Sequence, residues 1–292
     1  MIESGEQNAS AFHLAGVVPV AGQPLDFDMP WHDSLMPIGK NYLAVERAVL
    51  ECAWAGAETI WVVCHRDMQP LIKERMGEWI FDPNSLLQKG MFQSEKRRRI
   101  PIYYVPVHPK DRDRRDCLGW SALYGALSAY YISKRISKWL IPDKFYCAFP
   151  YGIYNPELLK IFRRKISRNG TFCLTYNGAS VKTGEYLGFT FDGEDFKRCR
   201  RRVREEATSV HDSDGNRLPI EKRWSARNFS LDKVFSDVII DTDSMIEVPW
   251  YHRVDSWDGL TKYLSGSESL TKPDFFKPKK WNKMGGVSEE SN

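Results

Sequence analysis

The sequence predicts an α/β fold: a mostly parallel sheet flanked by helices, with a strand-rich C-terminal part and an extended tail. Three observations carry this. Residues 12–20 form an apolar run without clean alternation, as expected of a parallel strand covered on both faces. Further strand-like runs at 59–64, 100–107 and 144–149 alternate with segments of helical periodicity, an order that implies parallel pairing. From residue 172 the pattern changes to short runs punctuated by Asn177-Gly178 and Asp192-Gly193, dipeptides that favour tight turns.

Taken in order, the strand at 12–20 leads to a helix at 42–55. Asn41 is its candidate cap, Gly56 its stop, and Leu43, Val45, Ala48, Val49, Cys52 and Ala53 its apolar face. The β-branched and aromatic run at 59–64 completes a βαβ unit. A second unit has Asp67 as cap, a helix through about Met76, an irregular excursion at 77–99 and a strand at 100–107. A helix at 118–133 is small and apolar on one side through Ala122, Gly125, Ala126 and Ala129, and a strand at 144–149 follows. Asn155-Pro156 starts another helix, since proline's missing N–H costs nothing at the first helical position. Beyond it the sequence predicts strands at 172–176, 185–191 and 234–240, a charged helix or loop at 197–206, and a last helix at 256–264. The expected organisation is a flexible N-terminus at 1–11, one α/β domain at 12–264 and an extended tail at 265–292.

The 292 residues are 42% apolar, enough for a substantial core. A formal charge of +4, from 42 basic and 38 acidic residues, falls short of the footprint of a dedicated nucleic-acid binder and argues against a nucleic-acid partner. The six cysteines form no Cys-x-x-Cys and stand at no zinc-finger spacing from a histidine, which argues against a metal cluster, and Cys52, Cys64 and Cys147 lie within apolar runs, so reduced thiols are expected. The polar, acidic N-terminus lacks the features of a signal peptide, and no apolar segment approaches the ~18 residues that span a bilayer. A cytoplasmic protein with no membrane partner is expected.

Val17-Val18-Pro19-Val20-Ala21-Gly22, Met29-Pro30-Trp31, Leu35-Met36-Pro37-Ile38-Gly39, Ala55-Gly56 and Thr59-Ile60-Trp61-Val62-Val63 follow one another in an order and spacing that resemble the opening of nucleotide-sugar pyrophosphorylases, the sugar nucleotidyltransferases of glycosyltransferase-A type fold. Leu118-Gly119-Trp120-Ser121-Ala122 resembles the segment that contacts the base in that family. Residues 145–156 resemble the strand and loop that present a Gly-Asp metal ligand, and His252-Arg253-Val254-Asp255-Ser256-Trp257 resembles a late Trp-x-Asp element. The resemblance spans residues 12–264. The chain also resembles nucleotidyltransferase-like proteins encoded by large tailed phages.

The resemblance implies nucleotide binding by Ala21, Gly22, Gln23, Leu118, Gly119 and Ser121, sugar or base stacking by Trp31, Trp120 and Tyr151, and a divalent ion, Mg²⁺, held weakly by Asp255. In that family a sugar phosphate attacks the α-phosphorus of an NTP, and cations offset the charge that builds on phosphate oxygens. This sequence departs from that pattern. No arginine or lysine lies between Gly22 and Trp31, Trp31 stands where a lysine is expected, and Tyr151 falls near one expected carboxylate. Lys40, Arg47, Arg112, Arg114 and Arg115 are within sequence reach as replacement cations, or else begin a helix and form a solvated loop. Asp26, Asp28 and Asp33 read either as a displaced metal site or as turn and cap residues. His32 is a general-base candidate with no identified nucleophile to serve. Arg198, Arg200, Arg201, Arg202 and Arg204 read either as a phosphate or nucleic-acid site or as an exposed face offset by neighbouring acids.

The function these readings imply is a nucleotidyltransferase-like protein that binds a nucleotide or nucleotide sugar at a degenerate phosphate and metal site. The alternative is a non-catalytic structural or assembly subunit, virion-associated in a phage setting, with protein partners engaged through the C-terminal tail. Whether it is an enzyme stays open at this point.

Overall fold

In the computed structural model, which describes residues 12–22, 29, 31–87, 98–168, 170–206, 212–217, 219 and 229–273, the strands are β1 (Leu14–Pro19), β2 (Pro37–Gly39), β3 (Tyr42–Leu43), β4 (Thr59–Cys64), β5 (Trp79–Phe81), β6 (Arg99–Pro106), β7 (Lys144–Cys147), β8 (Gly152–Ile153), β9 (Cys173–Thr175), β10 (Phe189–Phe191), β11 (Met245–Glu247) and β12 (His252–Arg253). The helices are α1 (Ala44–Ala55), α2 (Gln69–Met76), α3 (Pro83–Leu87), α4 (Pro109–Arg115), α5 (Leu118–Ile136), α6 (Arg163–Ile166), α7 (Gly193–Glu206), α8 (Leu231–Phe235) and α9 (Trp257–Ser265). Eight strands form one sheet in the order β11-β9-β10-β7-β1-β4-β6-β5. Its centre is parallel, with β1 between β7 and β4 and β6 beyond β4. The antiparallel pairs, β10 with β7 and β9 and β5 with β6, lie toward the edges.

Every residue of β1 is buried, as the unbroken apolar run requires. One face of the sheet packs on α1, with Val45, Val49 and Cys52 against Leu14, Val18 and Ile60. The other packs on α5 and α8, with Ala122, Ala126 and Val234 in the same cluster as Val17, Val63 and Phe189. All six cysteines are buried and unpaired. No helix among the described residues is long and apolar enough to cross a membrane.

Four local expectations are corrected. The helix expected at 42–55 begins at Ala44 because Tyr42–Leu43 pairs with β2. Asn41 is the hairpin residue, with φ 55°, and Glu46 does the capping by accepting from the backbone N–H of Leu43 at 2.9 Å. The excursion at 77–99 contains β5 and α3; residues 88–97 lie outside the described residues. The strand expected at 185–191 is reduced to β10, since Gly188 passes tightly over the Tyr146 hydroxyl and the Glu51 carboxylate. The strand expected at 234–240 is instead α8 and a turn. Its residues Leu231, Val234, Phe235 and Val238 recur at spacings of three and four and bury one face in the core that holds Phe189 and Phe191.

The turn expected at Asp192-Gly193 caps α7: Asp192 Oδ1 accepts from the N–H groups of Glu194 and Asp195 at 2.8 and 2.9 Å. The first residues of the expected tail lie on the body of the fold. The Leu270 carbonyl sits so close to Gly39 that a Cβ there would come within 2.5 Å of it, and Lys272 meets Glu46 at 2.6 Å. Phe275, Phe276 and Trp281 lie outside the described residues.

Candidate functional site

The segment leaving the carboxyl end of β1 crosses the end of β4 and meets the first turn of α5. Past β1, the N–H groups of Val20 and Ala21 both donate to the Val63 carbonyl at 2.8 Å, which folds the chain across the end of β4. The Ser121 hydroxyl then donates to the Ala21 carbonyl at 2.6 Å. Gly22 lies against α5, where a Cβ would stand 3.1 Å from the Leu118 nitrogen and 3.3 Å from its Cγ. The structure therefore brings Ala21, Gly22, Leu118 and Ser121 together, while Gln23 lies outside the described residues. Cys117 caps the helix, its sulfur accepting from the Trp120 N–H at 3.3 Å. Burial pushes this thiol up to about 12, so it stays neutral.

Gly119 is a point of close approach, and what approaches it is protein. A Cβ at this position would lie 2.7 to 3.0 Å from the side-chain atoms of Val234. The missing side chain admits α8 to the flank of α5.

The three aromatic candidates differ in exposure. Trp31 is 51% exposed, and Trp120 and Tyr151 are 5% and 2% exposed. The Arg115 guanidinium lies 4.5 Å from the Trp120 ring centroid, and the indole N–H is buried with no hydrogen-bond partner among the described residues. Tyr151 meets Tyr186 edge-to-face at 5.6 Å. Burial holds the Tyr151 hydroxyl far above its ordinary range, so it is a neutral phenol.

Asp255 stands beside Tyr151 because β12 pairs with β8 and the Val254 N–H donates to the Tyr151 carbonyl at 2.9 Å. Its carboxylate is engaged by Arg253, at 2.6 Å through Nε and 2.5 Å through a terminal nitrogen.

Of the replacement cations, Arg47 is corrected outright. It is fully buried inside α1, bonded to Glu51 at 2.7 Å and to the Phe149 carbonyl at 2.5 Å, and so belongs to the core. Lys40 is exposed in the β2–β3 turn. Arg115 pairs with Asp111 at 3.1 Å besides covering Trp120, and the side chains of Arg112 and Arg114 lie outside the description. Asp33 is buried at the start of a 3-10 turn, Asp33–Leu35, whose cap is the His32 ring. Asp26 and Asp28 lie outside the described residues. On α7, Arg198 pairs with Asp195, Arg202 with Asp237 at 2.7 Å, and Lys197 with Glu194 at 2.6 Å, while Cys199 and Val203 face inward.

Sequence reasoning missed two residues. His65 directly follows β4 and Asp116 directly precedes the cap of α5. They meet at 2.8 Å between Nε2 and Oδ2. His32 stands beside them, with ring centroids of the two histidines 6.5 Å apart in an edge-to-face arrangement. The His32 Nδ1 accepts from the Ser34 N–H at 3.2 Å and lies 2.9 Å from the Ser34 hydroxyl oxygen. The usable signal was position: His65 follows β4 and Asp116 precedes α5, two elements that pack on each other.

No protein-family profile and no curated protein matches the sequence. Among solved structures, the chain is similar to a protein assigned as a glucose-1-phosphate thymidylyltransferase from Bacillus anthracis, solved with sucrose. The TM-score is 0.53 at 10% identity, over 90% of this chain and 98% of the other. UDP-glucose pyrophosphorylase, solved both free and with UDP-glucose, aligns at TM-scores of 0.49 and 0.48 with 13% identity, over 86% of this chain and 97% of the other. The first of these likenesses shows the fold, a mostly parallel α/β sheet flanked by helices, and at this identity it shows the fold alone.

Proposed function

We propose that the chain binds a nucleotide or nucleotide sugar at the carboxyl edge of β1, β4 and β6. The observation that carries this reading is the clamp that holds Ala21 and Gly22 against the start of α5 through Ser121 and Val63. A glycine pressed on the first turn of a 19-residue helix presents backbone, in place of a side chain of its own, where the segment after β1 meets α5, and open α/β sheets take their ligands in the crevice outside the strand carboxyl ends. The likeness to the Bacillus anthracis protein assigned as a glucose-1-phosphate thymidylyltransferase supports a ligand of this class by fold analogy. Within this reading Trp31 offers an exposed ring to a sugar or base, whereas Trp120 and Tyr151 shape the floor from buried positions.

Mg²⁺, which the resemblance implies, does not fit the residues at its expected positions. Asp255 is already ion-paired to Arg253, and a buried phenol stands at Tyr151. Among the described residues no three His, Cys, Asp or Glu side chains converge on a common point. A hard cation that seeks several oxygens at short distances finds little of that shell here.

The test is a thermal-shift panel of NTPs and nucleotide sugars, with and without Mg²⁺. A ligand bound only by the folded chain raises its Tm, by an amount that follows ligand concentration over Kd. A concentration-dependent rise for at least one member supports the reading. No shift at millimolar ligand contradicts it and favours a non-catalytic structural or assembly role.

A further inference from the structure

We propose that His65 is the general base of a nucleotidyl transfer to a hydroxyl, with Asp116 as its positioning residue and His32 as a neutral hydrogen-bond donor beside it. This rests on the nucleotide-binding reading and names the second substrate as an alcohol of the sugar or polyol class, or water.

The geometry comes first. Asp116 is 8% exposed and holds His65 Nε2 through Oδ2, while its other oxygen, Oδ1, is buried with no partner among the described residues. A carboxylate at one ring nitrogen fixes both tautomer and orientation. It accepts a hydrogen bond from Nε2–H and leaves the lone pair on Nδ1, to which no described group donates. The His65 side chain keeps 16% of its surface exposed, so Nδ1 is not sealed in the core. At His32 the assignment is the mirror image. Nδ1 accepts from the Ser34 N–H, so the ring's single proton sits on Nε2. Burial and the neighbouring His65 hold the His32 pKa at about 4, and the ring is a neutral donor at physiological pH. One imidazole thus offers a lone pair and the other an N–H, at the end of β4 and beside the first turn of α5.

The chemistry follows from what such a pair can and cannot help. A phosphate nucleophile is already anionic near neutral pH and needs no base. A hydroxyl must lose its proton as it attacks, and a carboxylate-oriented imidazole is suited to take it. In the proposed step the hydroxyl proton moves to His65 Nδ1 as the alcohol oxygen forms a bond to the α-phosphorus of an NTP. The bond from that phosphorus to the bridging oxygen breaks, and its electron pair leaves on pyrophosphate. The imidazolium formed is balanced by Asp116, and His32 Nε2–H donates to a phosphoryl oxygen. The groups that face His65 are Asp116 and His32, with Arg115 over the adjoining Trp120.

The experiment incubates the full chain with each of the four ribonucleoside triphosphates, Mg²⁺ in the buffer, with and without glucose or glycerol. Pyrophosphate release is followed by phosphorus NMR, and affinity for the same triphosphates is measured by titration calorimetry. We expect release from at least one triphosphate, slowed about 10²-fold or more in His65→Gln with Kd unchanged. Asp116→Asn should lower kcat, leave KM alone and displace the acid limb of the pH–rate profile, which a merely structural partner would not do. It also serves as the second variant if His65→Gln proves unstable. Binding without release, or release indifferent to both substitutions, overturns the proposal and leaves the nucleotide reading standing. No binding at all removes the nucleotide reading, and the proposal falls with it.

Discussion

Ser121 on α5 donates its hydroxyl to the carbonyl of Ala21, 100 residues earlier, in a buried bond of 2.6 Å. That bond ties the segment leaving β1 to the helix whose first turn it meets. Ser121→Ala leaves the Ala21 carbonyl buried without this partner, a loss of about 1–3 kcal/mol. Urea unfolding should show that loss, and any nucleotide affinity should weaken with it. Unchanged stability would mean that the clamp closes without the bond.

Gly119 lies on the same helix, against α8. A Cβ there would fall within 3.0 Å of three Val234 side-chain atoms, so Gly119→Val should act on stability through α8. Overpacking of this kind costs about 1–3 kcal/mol, and Val234→Ala in the same chain should recover part of it. A Gly119→Val protein as stable as the parent would show that α8 moves aside freely.

Arg47 and Glu51 form an ion pair with no exposed side-chain surface, extended by the hydroxyls of Tyr146 and Tyr154 on Glu51. Breaking one partner leaves the other charge buried alone, which costs about 3–5 kcal/mol. Arg47→Met should therefore destabilise strongly, and Arg47→Met with Glu51→Met much less. A double variant no better than the single would argue that the pair itself contributes the stability.

His32 gives a pH dependence. Burial and His65 hold its folded pKa at about 4, against 6.5 in an unstrained chain, while Asp116 pulls the other way. Between those values the unfolded chain binds more protons than the folded one, so stability falls as the pH drops from 6.5 toward 4. The contribution is at most about 3 kcal/mol. His32→Asn should flatten that stretch of the stability profile. Parallel profiles for the two proteins would place the acid sensitivity elsewhere.

The parallel centre of the sheet was legible because β1 and β4 are continuous apolar runs with a periodic helix between them. The third-layer detail was not. Residues 234–240 read as a strand by composition, and only the contact of Val234 and Phe235 with Gly119, Phe189 and Phe191 makes them a helix and turn. Ala21, Gly22, Leu118 and Ser121 were grouped through the resemblance of their segments to the pyrophosphorylase pattern, and they do lie together in space. His65 and Asp116 were not legible, since a contact across 51 residues leaves no local pattern in one sequence. Arg47 misled for the opposite reason: a cation near the start of a helix looks solvent-facing until its buried carboxylate is seen.

A nucleotide seated where the segment after β1 meets α5 would shield the backbone of both from solvent. Hydrogen–deuterium exchange on the full chain, with and without the triphosphate or nucleotide sugar that gives the largest thermal shift, tests this placement most directly. Slowed exchange is expected at residues 20–22, 65 and 117–121, with α7 and the β11 edge unchanged. Protection confined to α7, or spread evenly over the sheet with none at 20–22 and 117–121, would contradict it.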